Sequence, residues 1–557
     1  DGMRFLNWKI LVPVLLVAVL IAATYAERKT LLVNAIGIYM QWNRHVEPNR
    51  AVAWTAPESE AAAPRPAGER PNIVLIVADD LGFNDLSFFG GGVAGGSVPT
   101  PHIDSIAREG MNLSNGYAGN AVCAPSRAMI MTGRYSTRFG FEFTPVPDGM
   151  QQVIRVLSSG DDRLHPVIVD ADVPESDIPF AQRGMPASET TIAEVLQEAG
   201  YQTLHIGKWH LGRTEGFRPR DQGFDESLMM EGGLYLPENS PDVVNSKQPF
   251  DFIDQALWQV LNYSVSFNDS VPFEPDGYLT DYFTEEAVSA IKANRDRPFF
   301  LYLAHWGVHT PLQAAKADYD ALSHIEDHRL RVYAAMVRSL DRSVGQVLQT
   351  FKEEGLEENT LVIFTSDNGG ADYVGLPEIN QPYRGWKLTM FEGGTHVPFF
   401  AKWPGRIAPG SRLESPVSHL DILPTSASVA GLSGWEVKPI DGVDLLPYLT
   451  GEKEAFERPI FWREGYYQAV LHQGWKMHVS DNPDKVWLFN LREDPTEQNN
   501  LAEAKPEKVA ELKEMLAAFN AEQAEPSWPS VSELPVLIDK TGAEKAEPGD
   551  EYIYWPN

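Results

Sequence analysis

Asn72-Ile73-Val74-Leu75-Ile76-Val77-Ala78, followed at once by Asp79-Asp80-Leu81-Gly82, decides how the rest of the chain is read. An unbroken apolar run this short and this rich in β-branched residues is the pattern of a strand buried on both faces. Three more runs have the same form. Tyr201-Gln202-Thr203-Leu204-His205-Ile206 leads into Gly207-Lys208-Trp209-His210-Leu211-Gly212, and Phe299-Phe300-Leu301-Tyr302-Leu303-Ala304 leads into His305-Trp306-Gly307-Val308-His309-Thr310-Pro311. Leu361-Val362-Ile363-Phe364-Thr365-Ser366 leads into Asp367-Asn368-Gly369-Gly370. Each strand delivers a polar cluster at its carboxyl end.

Helical patterns lie between them. Ile192, Val195, Leu196 and Ala199 share one face, with Ser188 near the start and Gly200 just past the end. Tyr333, Met336, Val337, Leu340, Val344, Val347, Leu348 and Phe351 form a longer stripe that stops near Gly355. Such stripes are core-packing faces. Strands alternating with helices predict an α/β fold, a large mostly parallel sheet sandwiched by helices, and such sheets bind ligands beyond the strand carboxyl ends. The four clusters should therefore converge in one cleft.

Taken singly, each cluster has a plain structural explanation. Asp79-Asp80 can cap a following helix, and Asp367-Asn368-Gly369-Gly370 reads as a turn. A lone lysine such as Lys387 is usually a solvated surface charge, and His305, His324, His328 and His419 are read as structural or surface histidines. Two acidic tips in one cleft, however, repel each other unless a cation lies between them. Three carboxylates and an amide oxygen are hard ligands that suit Ca²⁺ or Mg²⁺. Lys208 and His210 can converge in the glycine-started loop that carries them.

Cys123 is the sole cysteine of 557 residues, so the chain has no internal disulfide. A single cysteine is by itself most simply a small buried hydrophobe. Its surroundings, Cys123-Ala124-Pro125-Ser126-Arg127 and then Met131-Thr132-Gly133-Arg134-Tyr135, argue otherwise. Pro125 suits the first turn of a helix running to Thr132 and stopped by Gly133, which places Cys123 where free amides and the helix dipole favour an anion.

Cys-x-Pro-Ser-Arg followed by Thr-Gly-Arg resembles the signature of the type I sulfatases, whose cysteine is oxidised after translation to formylglycine, an aldehyde whose hydrate is the nucleophile. The order Asp-Asp, Cys-x-Pro-Ser-Arg, Gly-Lys-Trp-His, His-x-Pro, Asp-Asn-Gly-Gly, Lys-x-x-x-x-Glu-Gly-Gly is similar to the family's whole active-site set and spans Asn72 to about Lys402. The resemblance implies an alkaline phosphatase-like catalytic domain and one calcium ion per chain, with Mg²⁺ as the alternative. It implies Asp79, Asp80, Asp367 and Asn368 as ligands, with the formylglycine at 123 also touching the metal. It implies that Arg127 and Lys208 hold the aldehyde hydrate, that His210 is the base, and that His309 and Lys387 bind sulfate and protonate the leaving oxygen. Val308-His309-Thr310-Pro311-Leu312, and Trp386-Lys387 followed by Glu392-Gly393-Gly394, are closest in flavour to the 4-sulfatase (arylsulfatase B) branch. The implied partners are a small sulfate ester and, during maturation, a formylglycine-generating enzyme.

Two other readings stay open. One is a phosphonate or phosphate ester hydrolase of the same superfamily, which resembles this chain less because a histidine commonly follows the aspartate matched by Asp367 and the lysine matched by Lys387 is lacking. The other is a glycan-binding pseudo-sulfatase in which Cys123 is never converted.

Arg4 and Lys9 precede an apolar run from Ile10 to Ala23, and Ala23-Thr24-Tyr25-Ala26 offers a cleavage site. Residues 1–26 thus read as a signal peptide, with an uncleaved membrane anchor as the rival, and export to a periplasmic or extracellular location follows either way. Residues 27–70 read as a membrane-proximal segment and an Ala/Pro/Glu-rich tether, residues 71–435 as the catalytic domain, and residues 436–557 as a smaller C-terminal α+β domain with a small antiparallel sheet. Segments 141–187 and 231–280 break the rhythm and read as insertions walling the cleft. The aromatic tail Tyr552-Ile553-Tyr554-Trp555 should dock on its own domain or on a partner subunit, so a homodimer is one arrangement it permits.

The formal net charge of −31 excludes nucleic acid as a partner, because phosphate binding needs basic surface. It also disfavours approach of long polyanions, so small mono-sulfated esters are expected to be better substrates than polysulfated chains.

Overall fold

A computed structural model describes residues 45–56, 70–159, 163–169 and 176–557, together with isolated helical residues between Lys29 and Ile38. The expected leader or anchor at 1–26, and nearly all of the expected tether, lie outside the described residues. Among the described residues, no helix is long and apolar enough to cross a membrane.

Nine strands form the central sheet. From edge to edge they are Ser411–Ser418, Met111–Tyr117, Phe399–Lys402, Thr360–Ser366, Asn72–Ala78, Phe299–Ala304, Gln202–Gly207, Glu226–Met230 and Val265–Phe267. Only Phe399–Lys402 and Val265–Phe267 run against the others. The four strands singled out in the sequence are adjacent and mutually parallel. Their register aligns Val77 with Ala304, Ala304 with Gly207, and Ala78 with Ser366, so their polar extensions leave the sheet at nearly one level.

The apolar run at 73–78 is continuous because the sheet is covered on both faces. Val74, Ile76 and Ala78 enter one core, and Ile73, Leu75 and Val77 enter the other, as the two-residue strand period demands. Helix His328–Glu353 packs its stripe, including Val337, Leu340, Val344 and Val347, into the first core beside helix Leu279–Ala293. Helices Cys123–Thr132 and Ile192–Glu198 pack on the second. The latter begins later than Ser188 suggested. Thr191 is its cap: Thr191 Oγ1 accepts from the Glu194 amide at 3.1 Å while Glu194 Oε2 accepts from the Thr191 amide at 2.7 Å.

Five strands carried no sequence signal strong enough to single them out. Met111-Asn112-Leu113-Ser114-Asn115-Gly116-Tyr117 is polar at alternate positions, and Ser411–Ser418 holds Pro416, where the ladder shifts register. Phe399–Lys402 and Glu226–Met230 are short, and Val265–Phe267 lies within the segment read as an insertion yet closes one edge of the sheet. Later in the chain, strands Ile460–Glu464, Tyr467–His472, Trp475–Asp481 and Asp484–Asn490 form an antiparallel sheet, and helix Pro506–Asn520 packs Leu512 and Leu516 against Val470, Met477 and Leu488. The aromatic tail Tyr552–Pro556 pairs with Glu533–Leu537 and docks on its own chain.

Candidate active site

The strand ends bring the predicted residues together. Asp79 and Asp80 leave the central strand, with Asp80 in the left-handed region at φ 57°. His210 is likewise left-handed at φ 64°, in the loop that also carries Lys208, and it feels the charges of Lys208, Arg127 and Lys387. Cys123 begins the helix, Val122 is the cap residue in extended conformation, and Gly133 ends the helix at φ 64°. Cys123 Sγ lies 3.6 Å from Asp79 Oδ1 and 3.8 Å from Asp80 Oδ1.

Arg127, one turn along the helix, is wholly buried and joins the acidic tips. Its guanidinium donates to Asp367 Oδ2 from Nη2 at 2.8 Å and from Nε at 2.9 Å, and to Asp79 Oδ2 from Nη2 at 3.1 Å. Lys208 Nζ meets Asp79 Oδ2 at 2.6 Å. Lys387 Nζ meets Asp80 Oδ1 at 2.8 Å and lies 3.3 Å from His309 Nε2. Three carboxylates thus face three cations in one buried cluster.

Burial, with Asp367 nearby, still pushes Asp79 up to about 6 despite Lys208 and Arg127. Burial would also raise Asp80, but Lys387, with His309 and Lys208, holds it well below the usual carboxylate range. Burial, then Asp367, pushes the Cys123 thiol upward, so as a free thiol it is a poor nucleophile. His210 is held far down by burial and by Lys208 and Arg127, and burial takes His309 down to about 3. Burial thus favours the neutral form of both imidazoles. His309 Nδ1 faces the Thr310 carbonyl at 2.6 Å; a carbonyl only accepts, so Nδ1 carries the hydrogen and Nε2 accepts from Lys387.

This acidic cluster has the donors to hold a metal ion. One ligand atom each of Asp79, Asp80, Cys123 and His309 lie within 4.8 Å of one another. Asn368 Nδ2 donates to Asp80 Oδ1 at 2.7 Å, while its buried Oδ1 has no hydrogen-bond partner among the described residues. Asp367 is not one of the four-residue group: its Oδ2 is taken by Arg127, and its Oδ1 accepts from the Asp80 amide at 3.2 Å.

The surroundings include residues that sequence reasoning did not assign. Trp306 stacks on His309 with ring centres 4.0 Å apart, and Lys208 Nζ sits 4.8 Å from the same ring, so the indole lies beside both. Tyr373 donates to Asp80 Oδ2 at 3.1 Å, and Tyr302 Oη accepts from Arg127 at 3.2 Å. Ser126 donates to the Asp367 carbonyl at 2.6 Å, with buried His419 at 3.0 Å behind it. His419 and His305 are structural as expected, His305 lying 2.9 Å from Ser343. Trp306 and Tyr302 belong to the patterned strand-end segments but look like ordinary core aromatics there; nothing local marks Tyr373.

A buried helix N-terminus beside three cations and three acidic tips gives the cluster the charge to receive an anion. The chain belongs to the sulfatase family, whose pattern matches residues 71–432, while the pattern described as N-sulphoglucosamine sulphohydrolase, C-terminal, matches residues 384–523. It is 34% identical over 424 residues to N-acetylgalactosamine-6-sulfatase of Canis lupus familiaris, covering 75% of this chain and 72% of that one. It is 32% identical over 500 residues to steryl-sulfatase of Rattus norvegicus, covering 78% and 80%. A crystal structure of Ps i-CgsB in complex with k-i-k-neocarrahexaose superposes with a TM-score of 0.67 at 30% identity, covering 83% of this chain and 95% of that one. The protein is a sulfuric ester hydrolase with an alkaline phosphatase-like sulfatase fold.

Proposed function

We propose that the protein hydrolyses sulfate monoesters with formylglycine at position 123 and one Ca²⁺ or Mg²⁺ per chain. The observation that carries this reading is the buried junction of Cys123, Asp79 and Asp80 with Arg127, Lys208, Lys387 and His309. In this reading residue 123, once converted to formylglycine, would supply the nucleophilic hydroxyl, and the ester oxygen would be the leaving group. Asp79, Asp80, Asp367 and Asn368, together with residue 123, would hold the cation, which would supply positive charge to the site.

The remaining roles fall to the chain's own side chains. Arg127 and Lys208 fix the nucleophilic end of the cleft. Lys387, whose Nζ lies 3.3 Å from His309 Nε2, holds the proton passed to the leaving oxygen, with His309 beside it binding the sulfate. The base is His210, which burial, Lys208 and Arg127 keep in the unprotonated form and whose buried Nδ1 has no partner among the described residues. The cluster is shielded from water, so the charge that develops on the leaving oxygen is stabilised more strongly there than in bulk solvent.

The apolar run at 10–23 supports export, and the net charge of −31 supports small mono-sulfated substrates over polysulfated chains. Peptide mass spectrometry of active protein tests the reading: the cysteine sulfur at 123 should be replaced by aldehyde oxygen, and elemental analysis should give about one Ca²⁺ or Mg²⁺ per chain. Full turnover with an unmodified thiol sinks the mechanism. Two zinc ions per chain favour the phosphatase-like alternative.

A further inference from the structure

The turn that carries Lys387 buries Trp386, Leu388, Met390 and Phe391 in the core, and its backbone is held by polar contacts on two sides. Tyr383-Arg384-Gly385-Trp386-Lys387-Leu388-Thr389-Met390-Phe391-Glu392-Gly393-Gly394 contains three glycines, and both Gly385 (φ 86°) and Leu388 (φ 74°) are left-handed. On the cleft side, the Lys387 amide donates to the Gly370 carbonyl at 2.9 Å and the Gly369 amide to the Gly394 carbonyl at 3.0 Å. On the opposite side the turn rests on the C-terminal sheet through buried charges.

Lys476 Nζ, fully buried on strand Trp475–Asp481, meets Glu392 Oε1 at 2.7 Å and Glu497 Oε1 at 3.4 Å. Glu497 Oε2 accepts from the Glu392 amide at 2.6 Å, and His478 Nε2 lies 3.1 Å from Glu497 Oε1. Tyr467 Oη accepts from the Met390 amide at 2.9 Å. Burying an ion pair is a poor route to stability, since apolar side chains of similar volume serve as well or better. What such a pair does provide is a directional hold on the backbone of the turn, which the packing of Met390 and Phe391 in the core does not by itself give.

We propose that Lys476 and its partners Glu392 and Glu497 are positioning residues: the C-terminal sheet fixes where Lys387 Nζ sits against Asp80 and His309. This rests on Lys387 protonating the leaving oxygen, as in the proposed function. A displacement of about 1 Å at a catalytic group costs on the order of a hundredfold in rate. Lys476→Met should therefore lower kcat/KM by about that factor, with a signature that follows leaving-group chemistry.

The test measures kcat/KM for the full-length protein on aryl sulfates graded in leaving-group acidity, with an alkyl sulfate at the demanding end. Lys387→Met and Lys476→Met should both steepen the dependence on leaving-group acidity, and Lys476→Arg should restore it in part. The double variant should be little worse than Lys387→Met alone, because the second residue acts through the first. Where Lys476→Met fails to fold, Lys476→Met combined with Glu392→Gln removes the Lys476–Glu392 pair together and takes its place. Equal losses for every leaving group, or losses that multiply in the double variant, overturn the positioning role. An unchanged dependence in Lys387→Met overturns the assignment of Lys387 instead.

Discussion

Replacing Arg127 by methionine keeps most of the apolar stem and removes the fork that holds two acidic tips together. Three charged contacts vanish, at 2.8 and 2.9 Å to Asp367 and at 3.1 Å to Asp79, all between side chains with no solvent exposure. A charge pair near 4 Å at an effective dielectric of about 20 is worth about 4 kcal/mol before desolvation. The guanidinium's own desolvation cost is recovered on substitution, so the net loss expected from stranding its buried partners is about 3–5 kcal/mol. Urea unfolding followed by tryptophan fluorescence reads the change, in chelator and in excess Ca²⁺. The loss should be greater in chelator, because a bound cation offsets the same carboxylates. Arg127→Lys should remain impaired, since an ammonium is a point charge and cannot bridge Asp79 and Asp367 as the planar fork does. A variant within about 1 kcal/mol of the parent in chelator refutes the argument that Arg127 is the keystone of the cluster.

Two further outcomes follow from the geometry. In Gly369→Ala the new Cβ would fall 1.8 Å from the Gly393 carbonyl oxygen, which is backbone and cannot swing aside, so the turns bearing Asn368 and Lys387 must separate. Overpacking of this kind costs about 1–3 kcal/mol, and activity should fall further than stability, as parallel melts and turnover measurements will show. Asp85 is buried, its Oδ2 accepting from Tyr333 at 2.6 Å and its Oδ1 unpartnered among the described residues, and burial pushes it from 3.8 up to about 7. A carboxyl raised in the folded state lends stability that is full below its unfolded pKa and lost as pH rises through the folded value. Asp85→Asn should therefore gain stability relative to the parent as pH climbs from about 4 to about 7, measured by urea unfolding; a difference that stays flat or shrinks over that window contradicts the burial argument.

Much of the site was legible because its residues sit at the ends of strongly patterned elements. The run Asn72–Ala78 reads as a buried strand because it is short, unbroken and rich in β-branched residues. Asp79 and Asp80 then emerge at a sheet end, and Cys123 with Pro125 opens a helix, by local rules alone. Strands such as Met111–Tyr117 and Val265–Phe267 were not legible, because their polar alternation and short length are shared with loops.

What only the tertiary structure decided is pairing across distance. Arg127 reaches Asp367 across 240 positions, Lys387 meets Asp80 across 307, and Lys476 meets Glu392 across 84. Periodicity records which face of a segment is buried, and that information is local. Which cation neutralises which carboxylate depends on strand order, register and the approach of the C-terminal sheet. Those are properties of the packed chain, in which desolvation makes each charge select its partner.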